Sequence, residues 1–86
     1  MDVAFAPQFR RQFKKLPKAL QDEALEKIAL FGNPKHHETL RVHKLNGTME
    51  GRFSFSVNYR YRIVFMWEVK NKSAICLAIG DHAVYD

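Results

Sequence analysis

Basic and titratable side chains recur along the second half of the sequence, and their types suit binding and reaction at phosphate groups. The set comprises Arg41, His43, Lys44, Arg52, Arg60, Arg62, His82 and Tyr85. Guanidinium and ammonium groups bind phosphates, and histidine transfers protons near neutral pH because its unperturbed pKa is about 6.5. The pattern predicts a site for an anionic partner, provided that the fold brings these segments together.

Strand geometry predicts that some of these residues converge. Arg60 and Arg62 are two residues apart, so they share a face if both lie on an extended strand. A terminal segment that folds back after the last strand would bring His82 and Tyr85 to these arginines. The alternative is that the arginines are exposed edge-strand residues that suppress edge-to-edge pairing, and that Tyr85 only packs its ring against the core.

Neither a metal site nor a cofactor is predicted. The adjacent His36 and His37 do not form an i, i+4 pair on a helix, and no cysteine or carboxylate stands at ligand spacing from them. We expect both to be solvated loop residues. The lone Cys76 lies in the apolar run Ala74–Ile79 and indicates a buried packing thiol in a reducing compartment.

Length and charge limit the class of protein. A chain of 86 residues with 47% hydrophobic residues supports one core, so we expect a single domain over residues 1–86. The net charge of +5 favours a nucleic acid or an acidic protein as partner. The longest apolar runs fall far short of the ~20 residues that span a bilayer. With no secretory signal evident, we expect a cytoplasmic protein without a membrane partner.

Hydrophobic periodicity indicates the elements that must position the basic residues. Residues 2–6 predict a strand, residues 7–16 a first helix and Lys18–Phe31 a second helix, which stops at Gly32-Asn33-Pro34. The apolar stripe of the second helix consists of Leu20, Ala24, Ile28 and Phe31, with Leu25 beside it. The two helices should form a hairpin.

In the remainder of the chain, apolar residues recur with a period of two residues, as in strands. A polar connection is predicted over residues 36–46. Three strands of an antiparallel meander follow over residues 52–57, 61–69 and 74–79, with a hairpin turn around Asn58-Tyr59. The predicted fold class is α+β, with an N-terminal strand, a helical hairpin and then the meander. If the helices cover one face of the sheet, Arg52, Ser54 and Ser56 lie on the other.

Several segments, in this order, resemble toxins of the RelE/ParE superfamily, the toxic half of bacterial type II toxin–antitoxin pairs. The resemblance rests on Phe13-Lys14-Lys15-Leu16, His43-Lys44-Leu45-Asn46-Gly47, Gly51-Arg52-Phe53-Ser54-Phe55-Ser56-Val57, Tyr61-Arg62-Ile63-Val64-Phe65 and Ile79-Gly80-Asp81-His82-Ala83-Val84-Tyr85. It covers nearly the whole chain and implies a compact fold like that of microbial ribonucleases.

The resemblance also implies an activity and site residues. RelE-like and YafQ-like toxins are metal-independent endoribonucleases that cut mRNA, often on the ribosome. The phosphate-stabilising arginine of the family corresponds to Arg62. The acid–base histidine of the YafQ-like toxins corresponds to His82, a second histidine of that branch corresponds to His43, and the C-terminal tyrosine of RelE-like members falls near Tyr85. The neighbouring basic residues Arg41, Lys44, Arg52 and Arg60 would bind RNA phosphates. The chain departs from the pattern at Ser54 and Ser56, where RelE-like toxins have lysines, and at Arg60, where YafQ-like toxins have an aspartate.

These inferences lead to one principal hypothesis and two alternatives. The principal one is an mRNA-cleaving toxin inhibited by a cognate antitoxin, which would cover Arg52, Arg60 and Arg62. The first alternative is a ParE-like inhibitor of DNA gyrase without nuclease activity, and the second is a non-toxic basic domain that binds RNA or protein.

Overall fold

The elements of the chain follow the predicted order. The computed structural model describes residues 1–47 and 50–81, with β1 (Asp2–Phe5), α1 (Pro7–Lys14), α2 (Lys18–Phe31), a 3₁₀ turn (Pro34–His36), β2 (His43–Lys44), β3 (Phe53–Ser56), β4 (Arg62–Val69) and β5 (Ser73–Gly80). The predicted α+β fold is confirmed. The strand β2 was missed, because its two residues lie in the segment interpreted as a polar connection.

The described strands form one mixed sheet in the order β1-β5-β4-β3-β2. Strands β3, β4 and β5 are antiparallel neighbours, as predicted, and β2 pairs antiparallel with β3. Strand β1 runs parallel to β5, with Val3 beside Ala74. The long connection between these two parallel strands contains both helices, and α1 packs on β5, where the Gln12 side chain accepts a hydrogen bond from the Ile79 amide at 2.9 Å.

Prolines define the starts of both helices. Pro7 lies in the first turn of α1, where a missing N–H costs no hydrogen bond, and Pro17 immediately precedes α2. Helix α1 ends at Lys14, two residues before the predicted end, because the chain must leave helical geometry as it approaches Pro17. Within the described residues, neither helix is long and apolar enough to cross a lipid bilayer.

Phe31, the last residue of α2, lies at the centre of the core. Its side chain is fully buried, and its ring stacks on Phe55 at a centroid distance of 4.3 Å and meets Phe65 edge-on at 4.7 Å. Ala24 on the same predicted stripe is also buried, whereas Leu25 is 51% exposed. The two helices therefore cover the face of the sheet that carries Phe55 and Phe65.

Cys76 lies on β5 and has no exposed surface, so the prediction of a buried packing thiol is confirmed. Burial disfavours the thiolate and raises the pKa of Cys76 from 9.0 to about 12. Because the thiolate is the reactive form of cysteine, the thiol is protected in the folded protein.

We expect a thiol reagent to label Cys76 only as fast as the protein unfolds.

We also expect the free energy of unfolding to fall between pH 9 and pH 12, because the unfolded chain loses the thiol proton near 9.0 and the folded chain keeps it to about 12. The stabilisation is fully present below pH 9. Denaturant titrations of the wild type and Cys76→Ala measure this difference, and an identical pH dependence in both would contradict it.

Candidate functional site

The face of the sheet that points away from α1 and α2, here called the distal face, brings His43 and Arg62 together. His43 pairs in register with Ser54 on β3, and Ser56, two residues further along, pairs with Arg62 on β4. Paired residues and alternate residues of a strand share a face, so His43 and Arg62 lie on the same side, with Cα atoms roughly 12 Å apart from standard strand spacing. An imidazole and a guanidinium can converge on one phosphodiester across that distance.

The imidazole of His43 is exposed and oriented by a hydrogen bond. Its Nδ1 lies 2.7 Å from the carbonyl oxygen of Arg41, and its Nε2 lies 3.4 Å from the hydroxyl of Ser54. A carbonyl oxygen can only accept, so Nδ1 must carry the proton, and the lone pair of the neutral ring is on Nε2. That nitrogen lies on the distal face.

A closed turn leads the chain into β2. The Val42 amide donates to the carbonyl of His37 at 3.0 Å, and the Arg41 amide donates to the carbonyl of Glu38 at 3.0 Å. This pair of bonds is the Schellman motif, which usually ends in a glycine in the left-handed conformation. Here that position is held by Arg41, with a φ of 59°.

His37 anchors this turn to the core, and the prediction that it is a solvated loop residue is wrong. Its Nε2 donates to the carbonyl of Phe31 at 2.8 Å, and its ring stacks on the Phe31 ring at 5.0 Å. At the other end of the turn, Leu40 is buried and its carbonyl accepts from the Ser56 amide at 2.9 Å. The position of His43 is therefore set by contacts with both α2 and β3.

Arg62 is half-buried at the start of β4 and is held by the preceding turn. Its Nη1 donates to the carbonyl of Asn58 at 2.9 Å and that of Tyr61 at 3.3 Å. The side-chain oxygen of Asn58 accepts from the amides of Arg60 and Tyr61, which confirms the predicted turn around Asn58-Tyr59. A guanidinium has further N–H donors on Nε and Nη2, and donors of this kind can bind a phosphate.

Arg60 lies in this turn, before β4 begins, so the prediction that it shares a strand face with Arg62 is wrong. The hydrogen bonds of Asn58 set the backbone here in place of strand alternation. Arg60 is exposed, and its guanidinium carbon lies 5.6 Å from the centre of the Tyr61 ring. It flanks the distal face at its turn end.

The other predicted basic residues lie on different sides of β2 and β3. The carbonyl of Arg52 accepts from the Leu45 amide at 2.9 Å, and alternation places Arg52 on the distal face with Ser54. Lys44 pairs with Phe53, so it points to the other side from His43. Arg41 is exposed beside His43. The roles of these residues in phosphate binding stay predictions.

Ser54 and Ser56, at the positions where RelE-like toxins have lysines, affect the packing and the charge of the site. Ser54 is fully buried and touches His43, so a small side chain fits this position in β3. Among the described residues of β4 and of the segment that enters β3, Arg62 and Arg52 are the cations on the distal face, because β3 carries no lysine at positions 54 and 56.

His82 and Tyr85 lie outside the described residues, and their predicted roles stay predictions. Gly80 pairs with Arg62, so the chain leaves β5 beside Arg62, two residues before His82. Within residues 1–47 and 50–81, no three His, Cys, Asp or Glu side chains are close enough together to hold a metal ion.

Several solved structures have the same fold as this chain. No protein-family model and no curated protein matches the sequence. The chain is similar to the RelBE2 toxin–antitoxin complex of Mycobacterium tuberculosis, with a TM-score of 0.75 and 21% identity over 94% of this chain and 96% of that one. It is similar to E. coli YafQ, with a TM-score of 0.77 and 16% identity over 96% and 94%. The RelE–RelB complex of Pyrococcus horikoshii matches with a TM-score of 0.68 and 25% identity over 93% and 92%.

These similarities extend over nearly the full length of each chain compared. They confirm the fold that the resemblance of the sequence segments implied. The chain has the fold of RelE and of YafQ, which occur in toxin–antitoxin complexes.

Proposed function

We propose that this protein is the toxin of a type II toxin–antitoxin pair and a metal-independent endoribonuclease that cleaves mRNA on the ribosome. The observation that carries the proposal is the oriented imidazole of His43 on the same face as the Arg62 guanidinium. The fold shared with RelE and YafQ and the net charge of +5 support an RNA substrate.

The proposed reaction is an internal attack within the RNA backbone. His43 Nε2 removes the proton from a 2′-hydroxyl, and the 2′-oxygen forms a bond to the adjacent phosphorus. The bond from phosphorus to the 5′-oxygen breaks, His82 protonates that oxygen, and the products are a 2′,3′-cyclic phosphate and a 5′-hydroxyl. Arg62, assisted by Arg52, stabilises the negative charge on the phosphoryl oxygens. Tyr85 would stack on a base or assist proton transfer.

The flanking basic residues would hold the RNA without taking part in proton transfer. Arg41 and Arg60 are exposed, and each lies two residues before a member of the pair formed by His43 and Arg62, so they can contact neighbouring phosphates. Lys44 would reach RNA that passes around the edge of β2. Phosphate contacts of this kind weaken with salt, because binding releases counterions.

We expect His43→Ala and His82→Ala each to slow mRNA cleavage by about 10²–10⁴-fold, the usual contribution of one general acid or base. Primer extension on a reporter mRNA, with and without ribosomes, measures the rate and the place of cleavage. His36→Ala is the matched control, because it removes an imidazole from the 3₁₀ turn and should cleave at the wild-type rate.

Unchanged cleavage by His43→Ala and His82→Ala would contradict the roles assigned to the two histidines, and absence of cleavage by the wild type would contradict the nuclease proposal. A gyrase supercoiling assay on the same samples tests the alternative. Inhibited gyrase with intact transcripts would identify a ParE-like activity in place of the nuclease.

An apolar groove on the helical side of the molecule suits the antitoxin that this function requires. The rings of Phe5, Phe9 and Phe13 stack in series at centroid distances of 5.2 and 6.1 Å. Together with Leu25 and Ile28 they line a groove of about 310 Å³. Leu25 leaves half of its surface exposed there, although it is a large apolar residue.

Charge around the groove indicates the chemistry of its occupant. Arg10 and Lys14 are exposed and contribute to its lining. The RelE–RelB and DinJ–YafQ structures contain toxin and antitoxin together. We therefore propose that an acidic amphipathic helix of the antitoxin places its apolar side chains in this groove, with carboxylates beside the two cations.

We expect Leu25→Glu to weaken antitoxin binding by about 10–100-fold, because it loses one apolar anchor and adds a negative charge opposite acidic residues. Calorimetric titration with the protein encoded beside this gene measures the affinity. Ala19→Glu adds the same charge to an exposed position of α2 outside the groove and should bind as the wild type does. Equal affinities for all three proteins would exclude the groove as the docking site.

A further inference from the structure

The backbone of Arg41 has a conformation that its residue type does not favour. Its φ of 59° is left-handed, which is common for glycine and uncommon for residues with a side chain. The Schellman bonds from the amides of Arg41 and Val42 close the turn around this residue. The sequence contains no glycine between Gly32 and Gly47, so the turn forms on an arginine.

This conformation has a consequence for His43, two residues later. The carbonyl of a residue in a right-handed conformation would point in another direction, whereas the carbonyl of Arg41 lies 2.7 Å from Nδ1 of His43. The hydrogen bond persists when the ring gains a second proton, because Nδ1 is a donor in both states. Proton exchange is then confined to Nε2, which is 3.4 Å from the Ser54 hydroxyl on the distal face.

We propose that Arg41 is a positioning residue for His43. Through its left-handed backbone it holds the tautomer with the proton on Nδ1, so that Nε2 is the atom that exchanges protons with RNA. The proposal rests on the proposed ribonuclease function and extends it to a residue whose side chain need not touch the reacting atoms. It separates two contributions of Arg41, that of its carbonyl to His43 and that of its guanidinium to RNA binding.

Two variants that both lack the guanidinium separate these contributions. In Arg41→Gly the left-handed conformation becomes favourable, whereas in Arg41→Val it is disfavoured because a β-branched side chain clashes with the backbone there. We expect kcat for cleavage of ribosome-bound mRNA to be about 10–100-fold lower in Arg41→Val than in Arg41→Gly, which is a smaller effect than the loss of a whole acid–base group, because His43 is still present. The KM values of the two variants should agree, since both have lost the same phosphate contact.

A spectroscopic measurement tests the tautomer directly. Long-range ¹H–¹⁵N correlation spectra, with His43 assigned through His43→Ala, should show the neutral ring protonated on Nδ1 in the wild type and in Arg41→Gly. The Arg41→Val spectrum should show the proton distributed over both nitrogens. This measurement on the wild type needs no variant that is at risk of misfolding, and a wild-type ring protonated on Nε2 would overturn the proposal.

The outcomes distinguish this proposal from the function on which it rests. If the wild type does not cleave RNA, the ribonuclease function fails, and the spectra still decide whether Arg41 orients His43. If the wild type cleaves RNA, but Arg41→Gly and Arg41→Val have the same tautomer and the same kcat, only the positioning role is wrong.

Discussion

The packing of Phe31 against the sheet is the interaction on which both the fold and the site depend. Its ring lies between α2 and the strands, 4.3 Å from the Phe55 ring and 4.7 Å from the Phe65 ring. Its carbonyl, left without a helical partner at the end of α2, accepts a hydrogen bond from His37. One residue thus joins the helix to the sheet and also fixes the start of the connection that leads to His43.

This coupling explains how a small domain can orient an exposed imidazole through the connection that leads to it. The connection is held by His37 at one end and by the buried Leu40 at the other, where the Leu40 carbonyl accepts from Ser56. Between them, the turn at Arg41 brings a carbonyl to Nδ1 of His43. The carbonyls of Leu40 and Arg41 make two of these contacts and the His37 side chain makes the third, so the geometry of the site depends on the backbone conformation of the turn and on its anchoring by His37.

The sequence predicts the parts of the structure that have periodicity. Helix α2 and strands β4 and β5 are long, and their apolar residues recur at helical or strand spacing, so their burial follows from the pattern. Strand β2 has too few residues to show an alternation of apolar and polar side chains. The Schellman turn has Arg41 at the position where glycine is usual, so the sequence does not indicate it. Arg60 was misplaced for a similar reason, because the Asn58 side chain ends the strand pattern before β4 begins.

The site is predictable in composition but only partly in geometry. The resemblance pointed to His43 and Arg62, and pairing through β3 explains how residues 19 positions apart share the distal face. The role of His37 could not be predicted, because a histidine between a proline turn and a polar segment resembles a solvated residue. In the structure, its bond to the Phe31 carbonyl and its aromatic surroundings, with Trp67 at 5.8 Å, distinguish it from a solvated residue.

The positions of the two proposed surfaces place a requirement on the antitoxin. The groove around Phe9 and Leu25 lies on the helical side of the sheet, whereas His43 and Arg62 lie on the distal face. A helix confined to the groove would leave the proposed catalytic residues accessible to RNA. Inhibition by direct blocking therefore requires an antitoxin that extends around an edge of the sheet, with apolar anchoring on one side and acidic residues opposite Arg62 on the other. Binding of the antitoxin in the groove would raise the effective concentration of its acidic segment at the distal face. An acidic segment that binds weakly by itself would then be sufficient to block the site.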